Sequence, residues 1–134
     1  MALHRYLDWP SIPEWIDEGL AEWAAGGATC DGAGRIYVHL QENPDFRVVD
    51  MADLEQLSVR LAYDFYVLFW EFLASTAGAR IANGTFVEAL ERDGGLSAVD
   101  RVFKAPLDDL VLRWWASFLR GAVDEVLERC ARGS

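Results

Sequence analysis

The sequence predicts a mainly α fold with a small β component (α+β). It reads as a compact bundle of about five helices around one central apolar helix, with a small antiparallel β-hairpin. The central helix is announced by Val59–Leu73, VRLAYDFYVLFWEFL, where only Arg60, Asp64 and Glu71 interrupt the apolar run. The other helices are announced by capping signals ahead of periodic apolar segments, and the hairpin by strict alternation within Arg35–Gln41.

At about 100° per residue, Arg60, Asp64 and Glu71 fall within a sector of roughly 40°, and Asp53 and Gln56 extend the same stripe. A helix that is apolar nearly all round belongs in a core or a membrane. A span needs about 20 apolar residues and tolerates charge poorly. This run is shorter and charged, so it reads as the core helix of a soluble domain. Its polar stripe is its one route to water or to a partner.

The chain has 134 residues, which suits a single globular domain. Hydrophobic content is 52% with six Trp, which speaks against disorder. Net charge is −10 and uneven: residues 1–78 hold thirteen acids and four bases, residues 79–134 nine acids and eight bases. That excludes a direct nucleic-acid reader, which needs clustered Lys and Arg. It points instead to a basic protein surface as partner, against the plainer role of acidity in solubility.

Residues 1–10 read as irregular, with a short extended piece at His4–Leu7. Ser11 stands three residues before Glu14 with Pro13 between them, a capping box with proline in the first turn. A helix over residues 12–25 follows and stops at Gly26-Gly27. Ile12, Trp15, Ile16, Leu20 and Trp23 share its apolar face. Glu14, Glu18 and Glu22 line the other at i, i+4, with Asp17 beside them, and such like-charge pairs cost about 0.2–0.5 kcal/mol each.

Ala28–Gly34 reads as a loop. Ile36, Val38 and Leu40 alternate with Tyr37 and His39, and Phe46–Val49 gives a second strand across the turn Glu42-Asn43-Pro44-Asp45. The predicted hairpin covers residues 35–49. Asp50 is the expected N-cap of the core helix, 51–77, which ends near Gly78. Thr85-x-x-Glu88 caps a short helix, 86–92. Pro106 opens a C-terminal helix, 106–131, with Asp108 and Asp109 at its start, Arg129 and Arg132 near its end, and a bend at Gly121. This last helix is the expected antiparallel neighbour of the core helix.

Catalytic patterns are weak. Cys30, His39 and Asp31 form a conceivable thiol–imidazole set, but their spacing is not diagnostic. A loop thiol and a solvent-facing strand histidine are the plainer assignment. Asp64 and Glu71 lie two turns apart, roughly 10 Å along the axis, too far to share an ion unaided. Arg60 and Asp64 at i, i+4 read as a pair. Asp31-Gly32-Ala33-Gly34 is neither a phosphate loop nor a calcium loop. No catalytic residue, metal ligand or cofactor is assigned.

Cys30 and Cys130 show no metal spacing, and MALHRYLDW lacks the order of a signal peptide, so a cytoplasmic protein with free thiols is expected. Asn83-Gly84-Thr85 then reads as a turn followed by a cap. The expected function is a non-enzymatic acidic protein that inhibits a larger partner, without membrane attachment. Toxin-immunity proteins and phage anti-defence inhibitors share this composition, and some imitate the charge of DNA. The expected partner-binding residues are Glu14, Asp17, Glu18, Glu22, Asp53, Asp64 and Glu71. The alternatives are a small enzyme or ligand-binding domain with an aromatic pocket and the Asp64/Glu71 stripe, or a helical subunit of a larger assembly.

Overall fold

A computed structural model describes residues 13–78, 80–93 and 97–133. The apolar run forms α3 (Val59–Ala77), and six further α-helices surround it: α1 (Glu14–Ala24), α2 (Cys30–Glu42), α4 (Phe86–Asp93), α5 (Ser97–Phe103), α6 (Leu107–Ser117) and α7 (Leu119–Gly133). A 3-10 turn, Met51–Gln56, leads into α3, and a π-helical segment, Ile81–Thr85, leads into α4. The extended piece expected at His4–Leu7 and the cap expected at Ser11 lie outside the described residues.

Aromatic side chains from three other helices converge on α3, and a fourth helix joins the cluster through one of them. Trp15 of α1 meets Phe69 edge-on at 5.3 Å, and Trp114 of α6 meets the same ring from another direction at 5.2 Å. Phe86 of α4 lies 5.7 Å from Trp70, and Phe103 of α5 lies 5.1 Å from Phe86. Phe65, Phe69, Trp70 and Leu73 are fully buried. Such edge-on pairs stabilise by about 0.5–1.5 kcal/mol beyond area burial.

α1 is the most extensive neighbour of α3, rather than the C-terminal helix. Its Trp15 carbonyl accepts a 2.7 Å hydrogen bond from Trp70 Nε1, which satisfies a buried donor. Gly19 brings the two backbones together: a Cβ there would come within 2.6 Å of Trp70 Nε1.

The hairpin expected over residues 35–49 is absent, and the described residues contain no strand. Arg35–Gln41 lies inside α2, and Phe46–Val49 is irregular chain. The alternation is incidental; the burial period is helical, with Gly32, Ala33 and Ile36 buried and His39 and Leu40 partly so. Thr29 starts the helix, its hydroxyl accepting from Gly32 N at 2.9 Å.

Two long elements are interrupted. The stretch 51–77 breaks at Leu57-Ser58, where Ser58 Oγ accepts from Leu61 N and starts α3 afresh. Asp50 caps the 3-10 turn, accepting from Ala52 N at 2.8 Å, while Asp53 Oδ2 accepts from Val49 N and Asp50 N. The stretch 106–131 breaks at Phe118 and not at Gly121, which lies within α7.

The cysteines are not free. Cys30, the first residue of α2, is bonded to Cys130 near the end of α7, with Cα atoms 6.0 Å apart. The free-thiol expectation failed because spacing says nothing about two residues separated by 100 positions.

Candidate functional site

The polar stripe of α3 faces the corner where α1 turns into α2. Asp64 is 4% exposed and is held by Arg35 of α2, whose Nε and Nη2 donate to its two oxygens at 2.7 and 3.1 Å. Arg60 Nε lies 3.5 Å from the same carboxylate, and Arg60 Nη2 donates to Glu22 of α1 at 2.9 Å. One turn and three residues on, Glu71 accepts from the backbone N–H of Ala28 at 3.2 Å. A helix that is otherwise greasy thus carries its charges where three chain segments meet.

This junction fixes the local sequence. The fork geometry of a guanidinium suits a bidentate carboxylate partner, so Lys at position 35 would lose one of the two bonds. Donation to the Asp64 carboxylate raises the Arg35 pKa above its already high ordinary value. Gly32 is required by closeness: a Cβ would stand 2.8 Å from Asp64 Oδ1. Gly27, with φ of 83°, turns the chain where a Cβ would meet Glu71 at the same distance. These glycines looked like loop formers in the sequence. They are packing requirements of a buried carboxylate.

The junction encloses a cleft of about 70 Å³ lined by Glu22, Thr29, Arg35, Arg60 and Asp64. That is well below the roughly 300–1,000 Å³ of small-molecule pockets. The carboxylates around it already have partners: Asp64 holds Arg35 and Arg60, and Glu22 holds Arg60.

The expected partner-binding residues therefore divide. Asp53 caps the 3-10 turn, Asp64 and Glu22 pair with arginines, and Glu71 accepts from Ala28. Asp17 is 7% exposed. Glu14 is exposed and Glu18 half-buried, and both lie close enough to Tyr63 of α3 to raise the pKa of its phenol, after the effect of its burial. Glu14 and Glu55, the latter in the 3-10 turn, act likewise on Tyr66. Burial first, and then these charges, push Tyr66 up to about 12. The structure thus gathers Glu14, Glu18 and Glu55 around the Tyr63–Tyr66 pair, whose rings are 6.0 Å apart. Arg60 also lies 5.6 Å from the Tyr63 ring centroid. Glu55 and Tyr63 were missed at the sequence level, because the cluster forms only when α1, the 3-10 turn and α3 come together.

The other proposed chemistry dissolves. Cys30 is in a disulfide, and His39 lies nine residues along α2 from it, about 13 Å by helical rise. The His39 ring packs 4.6 Å from Phe46, with Nδ1 3.3 Å from the Asn43 amide nitrogen. Among the described residues, no group of three or more His, Cys, Asp or Glu side chains is arranged to hold a metal ion. No described helix is long and apolar enough to cross a membrane. Neither a protein-family model, nor a curated protein, nor a solved structure matches this chain.

Proposed function

We propose that the protein is a non-enzymatic acidic binding protein that acts on a larger protein through a basic surface of that partner, as an inhibitor does. One observation carries this reading. Of the four bases among residues 1–78, Arg35 and Arg60 are taken up by Asp64 and Glu22, while Glu14 and Glu18 stay at or near the surface beside Tyr63, and Glu55 is exposed on the side of Tyr66. The face formed by α1, the 3-10 turn and the start of α3 is therefore acidic with an aromatic centre. Complementary charge speeds association. Toxin-immunity proteins and phage anti-defence inhibitors share this acidic profile, and some imitate the charge of DNA, an analogy of composition.

A ligand-binding or enzymatic reading draws less support, since the stripe that would serve it is engaged by the protein itself. The Cys30–Cys130 bond favours action where thiols are oxidised, in place of the cytoplasmic setting expected from the sequence.

The test starts with affinity capture of the partner from the native host, followed by association kinetics across a salt series. The variant Glu14→Lys with Glu18→Lys leaves the arginine pairs untouched. It should slow association about tenfold at low salt and flatten the salt dependence, with the far-UV spectrum and melting point unchanged. An unchanged rate and salt response would assign the acidic face to solubility alone.

A further inference from the structure

The two sulfurs of the disulfide sit in opposite electrostatic surroundings. Cys30 opens α2, where unsatisfied N–H groups and the positive end of the helix dipole stabilise a thiolate. Cys130 lies in the last turn of α7, where the free carbonyls oppose one. Asp31 in the first turn of α2 and Arg129 beside Cys130 both act against this difference, but both side chains are exposed and screened by water. Cys30 is exposed, and an open groove of about 360 Å³ runs beside the bond, lined by Thr29, Val126, Arg129 and Gly133. Noncovalent anchoring of α7 is thin past Val126: Leu127 and Cys130 are half-buried, and residues 131–133 are exposed.

We propose that Cys30–Cys130 is a thiol-exchange site of fixed polarity, at which an anionic low-molecular-weight thiol of the glutathione class adds to Cys130 and frees the end of α7. Arg129 attracts the thiol's carboxylates into the groove. Its thiolate attacks Cys130 Sγ, the new S–S bond forms, the Cys30–Cys130 bond breaks, and Cys30 leaves as the thiolate stabilised by α2. The lower-pKa thiol is the better leaving group, which sets the direction. A second thiol then attacks the mixed disulfide, releasing Cys130 and the oxidised small molecule. Two electrons have passed from two small thiols to the protein disulfide, and Cys30 takes up a proton from solvent when it becomes a thiol. Without the bond, residues 127–133 are held to the core by the half-buried Leu127 and Cys130 side chains.

The experiment treats the oxidised full chain with reduced glutathione in native buffer, quenches with an alkylating agent and maps the products by peptide mass spectrometry. Glutathione should lie on Cys130 and the alkyl group on Cys30, with the reverse product at least about fivefold rarer. Amide exchange should speed up several-fold at residues 127–133 while α3 stays protected. Arg129→Glu should slow attack by glutathione several-fold and leave attack by neutral mercaptoethanol unchanged. Adducts on Cys30, an even mixture, or no adduct without denaturant would overturn the polarity. Unchanged exchange at 127–133 after reduction would overturn the release.

Discussion

Tyr66 is 2% exposed and lies under the charges of Glu14 and Glu55, so its phenol holds its proton to about pH 12 rather than 10. A raised acid pKa means that the folded chain keeps a proton the unfolded chain gives up. Stability from this residue is therefore complete below pH 10 and is lost as the pH rises to about 12. The loss amounts to about 2–3 kcal/mol. Denaturant midpoints taken on either side of pH 10 should show it, and Tyr66→Phe should remove most of the slope; an equal slope in the variant would place the alkaline weakness elsewhere. At this scale the sequence was legible in kind and not in role. That Asp64 and Glu71 share a stripe follows from helical spacing alone. That the stripe meets Arg35 and the Ala28 amide does not, because those groups come from a segment that read as loop and strand.

Among the elements, α3 was legible because every turn of it is apolar, and no other local structure buries such a run so well. α2 was not. Its helical period rests on Gly32, Ala33 and Ile36, and two of those are too small to register as apolar. The breaks at Ser58 and Phe118 also escaped notice, although Ser58, an N-cap residue type directly before the apolar run, was a local signal for the first. The α1–α3 interface supplies a sharp test. Trp70 is fixed by its hydrogen bond to Trp15 and buried on all sides, so it has no room to yield to a methyl group at position 19. Gly19→Ala should therefore destabilise by about 1–3 kcal/mol despite the gain in helix propensity. A melting point at or above that of the parent would show that α1 shifts freely along α3. The comparison variant is Gly121→Ala, where an added Cβ meets nothing within 4 Å, and where stability should hold or rise.

At the scale of the molecule, acidity and architecture are coupled through α1, which brings Glu14 and Glu18 to the surface and Glu22 to the arginine junction. The mainly helical class follows from the periodic apolar segments and their caps. The covalent plan does not, since a bond across 100 positions leaves no local trace. Its topology has a further effect. The bond makes residues 30–130 a closed covalent ring, and α1 is an arm outside it. In the chain-entropy account, a ring of this size loses the equivalent of about 4–5 kcal/mol of freedom when unfolded, and only contacts within the ring gain from that. The arm has packing alone to keep it in place. A protease that cuts inside the ring leaves both pieces joined, so a non-reducing gel shows one band of parental mass. A cut in the Gly26-Gly27 corner, where both glycines have positive φ, leaves the arm tied by packing alone, so it separates on denaturation without reduction. The acidic helix proposed to meet the partner is then, among the described helices, the one that a single break in the chain can free while the ring stays closed.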